Sequence, residues 1–266
     1  MSKKFTSLFV LALAVLVLAG SFALVSAATV LKVGASPTPH AQILEQIKPL
    51  LAKEGITLQI IEFQDYVQPN IALAQGELDA NYFQHIPYLT QFCKDHNLDL
   101  TYIAKVHIEP LGVYSSKIKS LNQLKDKAIV AIPNDPTNGG RALLLLQRAK
   151  LIELRKDAGL SATELDVAKN PKNLQFKALE AAQLPRALAD VDIAVINTNY
   201  ALSAKLVPTK DALFIENSES PYANVLAVRT KDKNDPALQK LAKALTSPTV
   251  KNYIEKTYQG SIVPTF

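Results

Sequence analysis

The sequence predicts an α/β protein in which two lobes enclose a ligand cleft. Short runs of β-branched residues alternate with amphipathic stretches along the chain, which is typical of strands covered by helices. Two segments, 107–115 and 220–227, are candidate crossovers at which the chain would leave one lobe and later return to it. We therefore expect residues 28–109 and 225–266 to form the first lobe and residues 110–224 the second. Ligands of open α/β sheets bind beyond the carboxyl ends of the strands, which here would face the cleft.

Residues 1–27 are predicted to be a secretory signal peptide. Lys3 and Lys4 precede an apolar run from Leu8 to Ala19, and the small residues of Val25–Ala27 suit a cleavage site. The alternative is that the apolar stretch is retained as a membrane anchor. In either case we expect the folded part of the protein to lie outside the cytoplasm.

The elements of the first lobe follow from the spacing of its apolar residues. Ile43, Ile47 and Leu50 recur at helical spacing, whereas the strand-like runs are short and rich in Val and Ile. The predicted order is a strand at 30–35, a helix at 40–53, a strand at 57–63, a helix capped by Asp65, a strand at 78–83, a helix at 86–96 and strands near Tyr102 and Val113. This alternation predicts a mostly parallel sheet with helices on both faces.

The pattern restarts in the second lobe and ends with a return to the first. The predicted elements are a strand at 129–132, a helix that contains Arg141, a strand at 192–196, a return strand at 223–228 and two amphipathic helices at 236–245 and 249–257. No internal repeat and no low-complexity linker interrupts them.

The segment from Asn134 to Leu146, NDPTNGGRALLLL, predicts an anion site. It joins a strand to a helix, and the unpaired N–H groups and dipole of a helix start attract negative charge. Arg141 in the first helical turn would add a planar guanidinium that suits a carboxylate. The segment lacks the Lys-Ser/Thr pair of a phosphate-binding loop, so a small carboxylate ligand fits better than a nucleotide. The alternative is that Asn134, Asp135 and Thr137 only cap the helix while Arg141 pairs with a surface acid.

Aromatic residues could supply an apolar wall to the cleft. The candidates are Tyr66, Tyr82, Phe83, His85 and Tyr88. Such rings can enclose an unbranched apolar or thioether side chain, although each ring taken singly could equally belong to an ordinary core. Strand alternation places Tyr82 and Phe83 on opposite faces, so only one of them should line the cleft.

Three asparagines stand at predicted strand ends. Asn197 and Asn199 follow the strand at 192–196, and Asn224 precedes the return strand. Asparagine at such positions often makes local turn hydrogen bonds. Together, however, the three amides could accept from an ammonium group and donate to a carboxylate.

Several functions are disfavoured by what the chain lacks. The histidines His40, His85, His96 and His107 show no compact zinc spacing, although a site assembled from distant segments stays open. There is no G-x-S-x-G motif, and the single cysteine, Cys93, has no catalytic context. The net charge of +5 is scattered, which argues against a nucleic-acid partner. We predict no enzyme activity, no metal and no cofactor.

Five runs of sequence resemble the methionine-binding lipoproteins of the NlpA/MetQ family, the substrate-binding proteins of methionine ABC importers. The runs are FQDYVQPNIALAQGELDANYFQHIPYL (63–89), VHIEPLGVYS (106–115), AIPNDPTNGGRALLLL (131–146), DVDIAVINTNYA (190–201) and SPYANVLAVR (220–229). The resemblance implies a type-II periplasmic binding protein, in which two α/β lobes close on one amino acid.

The resemblance also implies roles for six residues. Arg141 would clamp the ligand carboxylate, and Asn199 and Asn224 would bind the α-amino and carboxylate groups. The side chain would be enclosed by Tyr66, Phe83 and His85. The implied ligand is methionine, with L-methionine expected first and D-methionine, a small dipeptide or another amino acid as alternatives. The implied partner is an ABC permease, and we expect a monomer.

The segment Leu18–Ser21 looks like a bacterial lipoprotein signal in which Ser21 replaces the lipidated cysteine. Serine cannot form the thioether, so we expect no lipid anchor. The protein would then be released outside the cytoplasm or held there by an uncleaved signal.

Overall fold

The computed structural model describes residues 29–217 and 220–266. The predicted signal peptide and Ser21 therefore lie outside the described residues. The α-helices are α1 (Gln42–Ala52), α2 (Gln68–Gln75), α3 (Ile86–His96), α4 (Pro136–Arg148), α5 (Leu184–Ala187), α6 (Thr198–Ser203), α7 (Pro208–Asp211), α8 (Pro236–Leu245) and α9 (Pro248–Tyr258), and a π-helical segment at Pro37–Ala41 precedes α1. None of these described helices is long and apolar enough to cross a membrane.

The strands form two larger sheets and one small pair. They are β1 (Thr29–Ala35), β2 (Ile56–Glu62), β3 (Ala80–His85), β4 (Leu100–Ile108), β5 (Gly112–Tyr114), β6 (Ile129–Pro133), β7 (Glu153–Leu154), β8 (Val167–Lys169), β9 (Gln175–Leu179), β10 (Ile193–Ile196), β11 (Phe214–Ile215), β12 (Ala223–Arg229) and β13 (Val263–Pro264). The first sheet has the order β13-β4-β12-β3-β1-β2, the second the order β11-β5-β10-β6-β9, and β7 pairs with β8.

The sheets are mixed, so the expectation of a mostly parallel sheet is wrong. In the first sheet β1 runs parallel to β2 and β3, but β12 is antiparallel to both β3 and β4. In the second sheet β6 runs parallel to β9 and β10, and β5 is antiparallel to β10. The antiparallel strands β5 and β12 are the first strands after the chain has crossed from one sheet to the other. They arrive through a loop instead of a covering helix, and therefore need not keep the direction that a helical crossover imposes.

The chain passes from the first sheet to the second between β4 and β5, and returns between β11 and β12. Both passages overlap the predicted crossovers, and the α/β fold class with two lobes is confirmed by the similarity to solved structures described below. The exact lobe boundaries, 28–109 with 225–266 and 110–224, stay a prediction.

Helices cover both faces of the first sheet. Leu226 and Val228 of β12 pack with α1, α8 and α9 on one face. Val225 and Ala227, which alternate with them, pack with α2 and α3 on the other face. A strand buried on both sides reads as a continuous apolar run, which is why ANVLAVR was recognisable as a strand from sequence.

The predicted strand at 78–83 lies two residues later, as β3. Gly76 adopts a left-handed conformation at the end of α2, with φ of 84°. The backbone N–H groups of Glu77 and Leu78 donate to Ala72, at 3.0 and 3.4 Å. These hydrogen bonds satisfy carbonyl groups in the last turn of the helix. The strand therefore begins two residues later than predicted. As a result His85 becomes the last residue of the strand.

Candidate functional site

A small cavity lies between the two sheets. Its walls come from the end of β3, the connection after β4, the first turns of α4, the loop after β10 and the start of β12. The lining residues are Tyr66, Phe83, Gln84, His85, Tyr88, Glu109, Asn138, Arg141, Asn197, Thr198, Asn199 and Asn224. All six residues predicted to bind the ligand are therefore brought to one cavity; their roles stay predictions. A cavity enclosed by side chains from both sheets suits a single small molecule.

Arg141 is buried and already has an acidic partner. Its Nε donates to Glu216 Oε1 at 3.3 Å, and its Nη2 donates to Glu216 Oε2 and, at 2.7 Å, to the backbone oxygen of Glu109. The guanidinium carbon also lies 4.1 Å from the ring centre of Tyr222. Among the described residues, Nη1 makes no hydrogen bond, so that edge of the guanidinium is the part left for a ligand. The alternative partner considered from sequence was a surface acid, whereas Glu216 is only 8% exposed.

The start of α4 is capped by its own chain, which corrects the anion-site expectation. Asp135 is the N-cap, and its Oδ1 accepts from the backbone N–H of Asn138 at 2.9 Å and from the Thr137 hydroxyl at 3.0 Å. A carboxylate already occupies the helix start, so the expected anion site is filled. Arg141 is the sixth residue of α4 and lies in the second turn, not the first.

The aromatic wall has one histidine and three larger rings. The ring centre of Tyr66 lies 6.0 Å from that of Phe83 and 5.7 Å from that of Tyr88. Tyr82 points the other way, into the core of the first sheet, where its hydroxyl contacts His107. The alternation argument is thus confirmed, with Phe83 on the cavity side. Such a group of rings could enclose an apolar or thioether side chain.

His85 acts in the cavity wall as a neutral donor. It caps α3, its Nδ1 accepting from the backbone N–H of Tyr88 at 3.1 Å, so the proton is on Nε2. Nε2 donates to Asn138 Oδ1 at 3.1 Å. Burial, and then the charge of Arg141, lower the pKa of His85 to about 3. The ring is therefore uncharged at neutral pH.

Two of the predicted amides have their oxygen atoms engaged. Asn199 Oδ1 accepts from the Tyr66 hydroxyl at 2.6 Å, and Asn224 Oδ1 accepts from His40 Nε2 at 3.0 Å. Among the described residues, neither amide nitrogen makes a hydrogen bond. Both side chains therefore offer N–H groups, which suit a carboxylate.

Glu109 is the functional candidate that the sequence reasoning missed. Its carboxylate lines the cavity and is 7% exposed. Oε1 accepts from His107 Nε2 at 2.9 Å and lies 3.3 Å from His40 Nε2, while Oε2 accepts from the backbone N–H of Asn199 at 3.0 Å. Burial raises the pKa of Glu109. One signal was available: the HIE segment at 107–109 puts His107 and Glu109 two residues apart near a strand end, where side chains share a face.

His40, His107 and Glu109 are also residue types that bind divalent metals, and their ligand atoms lie within 4.8 Å of one another. Hydrogen bonds account for the cluster without a metal. The Tyr82 hydroxyl contacts His107 Nδ1, which leaves the proton on Nε2 to be donated to Glu109. We therefore interpret the cluster as a support for the carboxylate, and the absence of a bound metal stays a prediction.

Comparison with known proteins gives one consistent family. The model of the NlpA lipoprotein family matches residues 31–266. The chain is 45% identical over 237 residues to the D-methionine-binding lipoprotein MetQ of Salmonella typhimurium, covering 88% of this chain and 87% of that one. The corresponding protein of Escherichia coli K12 is 44% identical over 236 residues, with 88% and 87% covered.

Solved structures agree with the sequence comparison. A nutrient-binding protein of Burkholderia cenocepacia, solved bound to methionine, is 51% identical with a TM-score of 0.87, and 89% of this chain and 100% of that one are covered. The crystal structure of the methionine-binding protein MetQ is 43% identical with a TM-score of 0.87, covering 89% and 98%. These similarities confirm the two-lobed fold.

Proposed function

Because the chain belongs to the NlpA lipoprotein family, we propose that it binds methionine in the cavity between its two sheets and delivers it to the permease of an ABC importer. Its family is one of substrate-binding transport proteins, not of enzymes. We propose L-methionine as the ligand, with D-methionine, a small dipeptide or another amino acid as the alternatives.

The observation that carries the proposal is the composition of one buried cavity. Tyr66, Phe83 and Tyr88 form an aromatic wall, which suits the thioether side chain. The free edge of Arg141 and the amide nitrogens of Asn199 and Asn224 supply donors, which suit the carboxylate. Since the walls come from both sheets, a ligand that touches both favours the closed arrangement through its differential affinity.

The direct test is isothermal titration of the exported protein, unfolded and refolded to remove bound ligand, with L-methionine and separately with D-methionine. We expect one-to-one binding with a Kd between about 1 μM and 1 nM, which corresponds to roughly −8 to −12 kcal/mol. Tighter binding of the D-isomer would identify D-methionine, and not L-methionine, as the ligand. A flat trace with both isomers, from protein that has refolded, would reject methionine.

We propose further that the protein carries no lipid, because Ser21 cannot form a thioether. We also propose that it acts as a monomer. The Salmonella typhimurium and Escherichia coli relatives are lipoproteins, so this chain would differ from them in how it stays near the permease. The mass of the intact exported protein tests lipidation, and light scattering after size exclusion tests the monomer. A mass increase equal to acyl chains, or a dimer mass, would contradict the respective proposal.

A further inference from the structure

We infer that Asn70, Asn81 and Gln84 form a positioning network that sets which ligand side chains the cavity accepts. Their side-chain amides, the amide cluster, join α2 to β3. The amide cluster holds a β-bulge that directs Phe83 into the aromatic wall and fixes its distance from Tyr66. This inference rests on the proposed function, because it concerns the ligand bound in the same cavity.

Strand β3 contains one residue more than the strand beside it. Gln84 pairs with Val225 on β12. Tyr82 pairs with the neighbouring Leu226, so Phe83 has no partner on β12. An extra residue of this kind is a β-bulge, which redirects the side chains next to it. As a result Phe83 and the two residues after it all line the cavity, which regular alternation would not allow.

The bulge also brings the two amides of β3 to the same face of the sheet. Asn81 pairs with Ala227, and Gln84 pairs with Val225. Both partners belong to the core that packs with α2 and α3. In a regular strand, residues three positions apart point to opposite faces. The bulged strand is therefore what allows both amides to reach Asn70 in the first turn of α2.

Every nitrogen and oxygen atom of the amide cluster has a hydrogen-bond partner. Asn81 Nδ2 donates to the backbone oxygen of Pro69 at 3.1 Å and to Asn70 Oδ1 at 2.8 Å. Gln84 Nε2 donates to Asn70 Oδ1 at 2.7 Å and to Asn81 Oδ1 at 3.0 Å. Gln84 Oε1 accepts from Asn70 Nδ2 at 2.8 Å. Because a backbone carbonyl can only accept, Pro69 fixes which way each amide is turned.

Burial makes this hydrogen-bonded arrangement specific. Asn70 and Asn81 are 0% exposed and Gln84 is 3% exposed. A polar network in the interior is stable only when its members are all paired, so it specifies one arrangement of the elements that contribute to it. The start of α2 and the bulge of β3 cannot move apart without leaving a buried amide unpaired.

The two elements held in this way each supply a ring of the aromatic wall. Tyr66 lies in the turn before α2, where Asp65 Oδ1 accepts from the backbone N–H groups of Val67 and Gln68 at 2.7 and 2.8 Å. Phe83 is the unpaired residue of the bulge, and the two ring centres are 6.0 Å apart. The amide cluster therefore sets the separation of these rings, and with it the length of side chain that fills the space beside them.

The test compares L-methionine with L-2-aminobutyrate, which lacks the terminal S–CH₃ group. Binding to the wild-type exported protein and to Asn70→Leu is measured by titration, with displacement of methionine for the weaker ligand. Asn70 is not among the described residues that line the cavity, so the variant changes no lining side chain. We expect the wild type to prefer methionine by roughly 10–100-fold. In Asn70→Leu, methionine affinity should fall about tenfold and that for 2-aminobutyrate less than about twofold.

Leu73→Val is the matched control, because Leu73 is buried on the same helix and its side chain lies in the apolar core. It should lower the free energy of unfolding and keep the preference for methionine. A folded Asn70→Leu variant with the wild-type preference would overturn the inference and leave the proposed function standing. Equal weakening of both ligands would do the same, because it would indicate a general loss of structure.

A second measurement needs no variant and stands even if Asn70→Leu does not fold. Coupling is reciprocal, so a ligand that fills the space beside the rings should protect the amide cluster. Hydrogen exchange of the Asn81 side-chain amide, followed by NMR, should be slowed about fivefold more by methionine than by 2-aminobutyrate at equal saturation. Equal protection by both ligands would overturn the inference. Absence of methionine binding to the wild type would overturn the proposed function and this inference together.

Discussion

At the scale of single residues, Arg141 carries two roles at once. It holds the buried carboxylate of Glu216 and, in the proposed function, presents its remaining N–H edge to the ligand carboxylate. Stacking on Tyr222 further fixes the guanidinium plane. A side chain held on three sides is preorganised, and a preorganised donor loses little entropy when the ligand arrives.

We predict that Arg141→Ala lowers methionine affinity by about 2–5 kcal/mol, because a charge-assisted contact in a buried site is removed. Titration measures the loss. Arg148→Ala is the control, since Arg148 lies on the same helix but is exposed and, within the described residues, its side chain donates a hydrogen bond only to Asn217. If Arg141→Ala binds methionine within twofold of the wild type, the carboxylate assignment is wrong.

A second variant separates binding from stability. Arg141→Ala leaves Glu216 buried without its cation, which should also lower the free energy of unfolding. Replacing both residues, as Arg141→Gln with Glu216→Gln, removes the uncompensated charge. The double variant should regain much of the stability in urea unfolding and still bind methionine poorly.

At the scale of elements, helix α4 connects the cavity to the second sheet. Asp135 caps it and also accepts a hydrogen bond from the side-chain amide of Asn138. The Asn138 oxygen in turn accepts hydrogen bonds from His85 and Asn197. One carboxylate at a helix start therefore orients part of the cavity wall. Sequence reasoning foresaw capping at this helix as an alternative to an anion site, but it could not show that the cap and the wall are one network.

We predict that Asp135→Ala lowers the free energy of unfolding by about 0.5–2 kcal/mol, the usual cost of losing an N-cap side chain. Urea unfolding followed by circular dichroism measures it. Asp157→Ala is the control, because Asp157 is 85% exposed at its side chain and caps no helix in the described chain. Unchanged stability of Asp135→Ala would mean that water replaces the cap fully.

The elements themselves were largely predictable. Helix α3 and the two C-terminal helices lie within a residue of their predicted limits, because their periodic apolar faces have clear ends. Strand β9 was missed, since its alternating half-exposed residues Gln175–Leu179 include a lysine and resemble a loop. The mixed strand directions were also missed, because direction depends on how the chain crosses between sheets.

At the scale of the whole molecule, Tyr200 and Tyr66 bring distant parts of the chain into contact beside the cavity. The Tyr200 hydroxyl donates to the backbone oxygen of Gln64 at 3.0 Å, and the Tyr200 ring lies 5.0 Å from Tyr66. These contacts join α6 to the segment after β2. A few such contacts can be made and broken as the lobes move.

We predict that methionine reduces the radius of gyration of the ligand-free protein, because a ligand that touches both lobes favours the closed form. Small-angle X-ray scattering with and without ligand measures the change. Saturating ligand at about 100 times its Kd should also add about 2.7 kcal/mol to the free energy of unfolding. An unchanged radius together with this stabilisation would mean that the protein is already closed without ligand.

The buried histidines predict how stability depends on pH. Burial lowers the pKa of His40 to about 4, and those of His85 and His107 to about 3, from an ordinary value of 6.5. Below pH 6.5 the unfolded chain therefore binds protons that the folded chain does not, and the free energy of unfolding falls as the pH falls toward 4. Each histidine contributes up to about 1.4 kcal/mol per pH unit. Glu109, whose pKa is raised, opposes part of this loss.

Urea unfolding at several pH values between 7 and 4 measures the slope of the free energy of unfolding against pH. His85→Gln should make the slope shallower, because it removes one of the groups that take up protons in the unfolded chain before they do so in the folded chain. A slope that is the same in wild type and His85→Gln would contradict a neutral, buried His85.

The sequence by itself determined the fold class, the order of most elements and the kinds of side chain that meet in the cavity. These follow from local periodicity and from which residues stand at strand ends. The tertiary structure alone decided how those side chains are paired. Arg141 and Glu216 are 75 positions apart, and Asn199 and Glu109 are 90 apart. Hydrogen-bond partners from distant segments leave no local pattern, so these pairings emerged only once the two sheets were placed together.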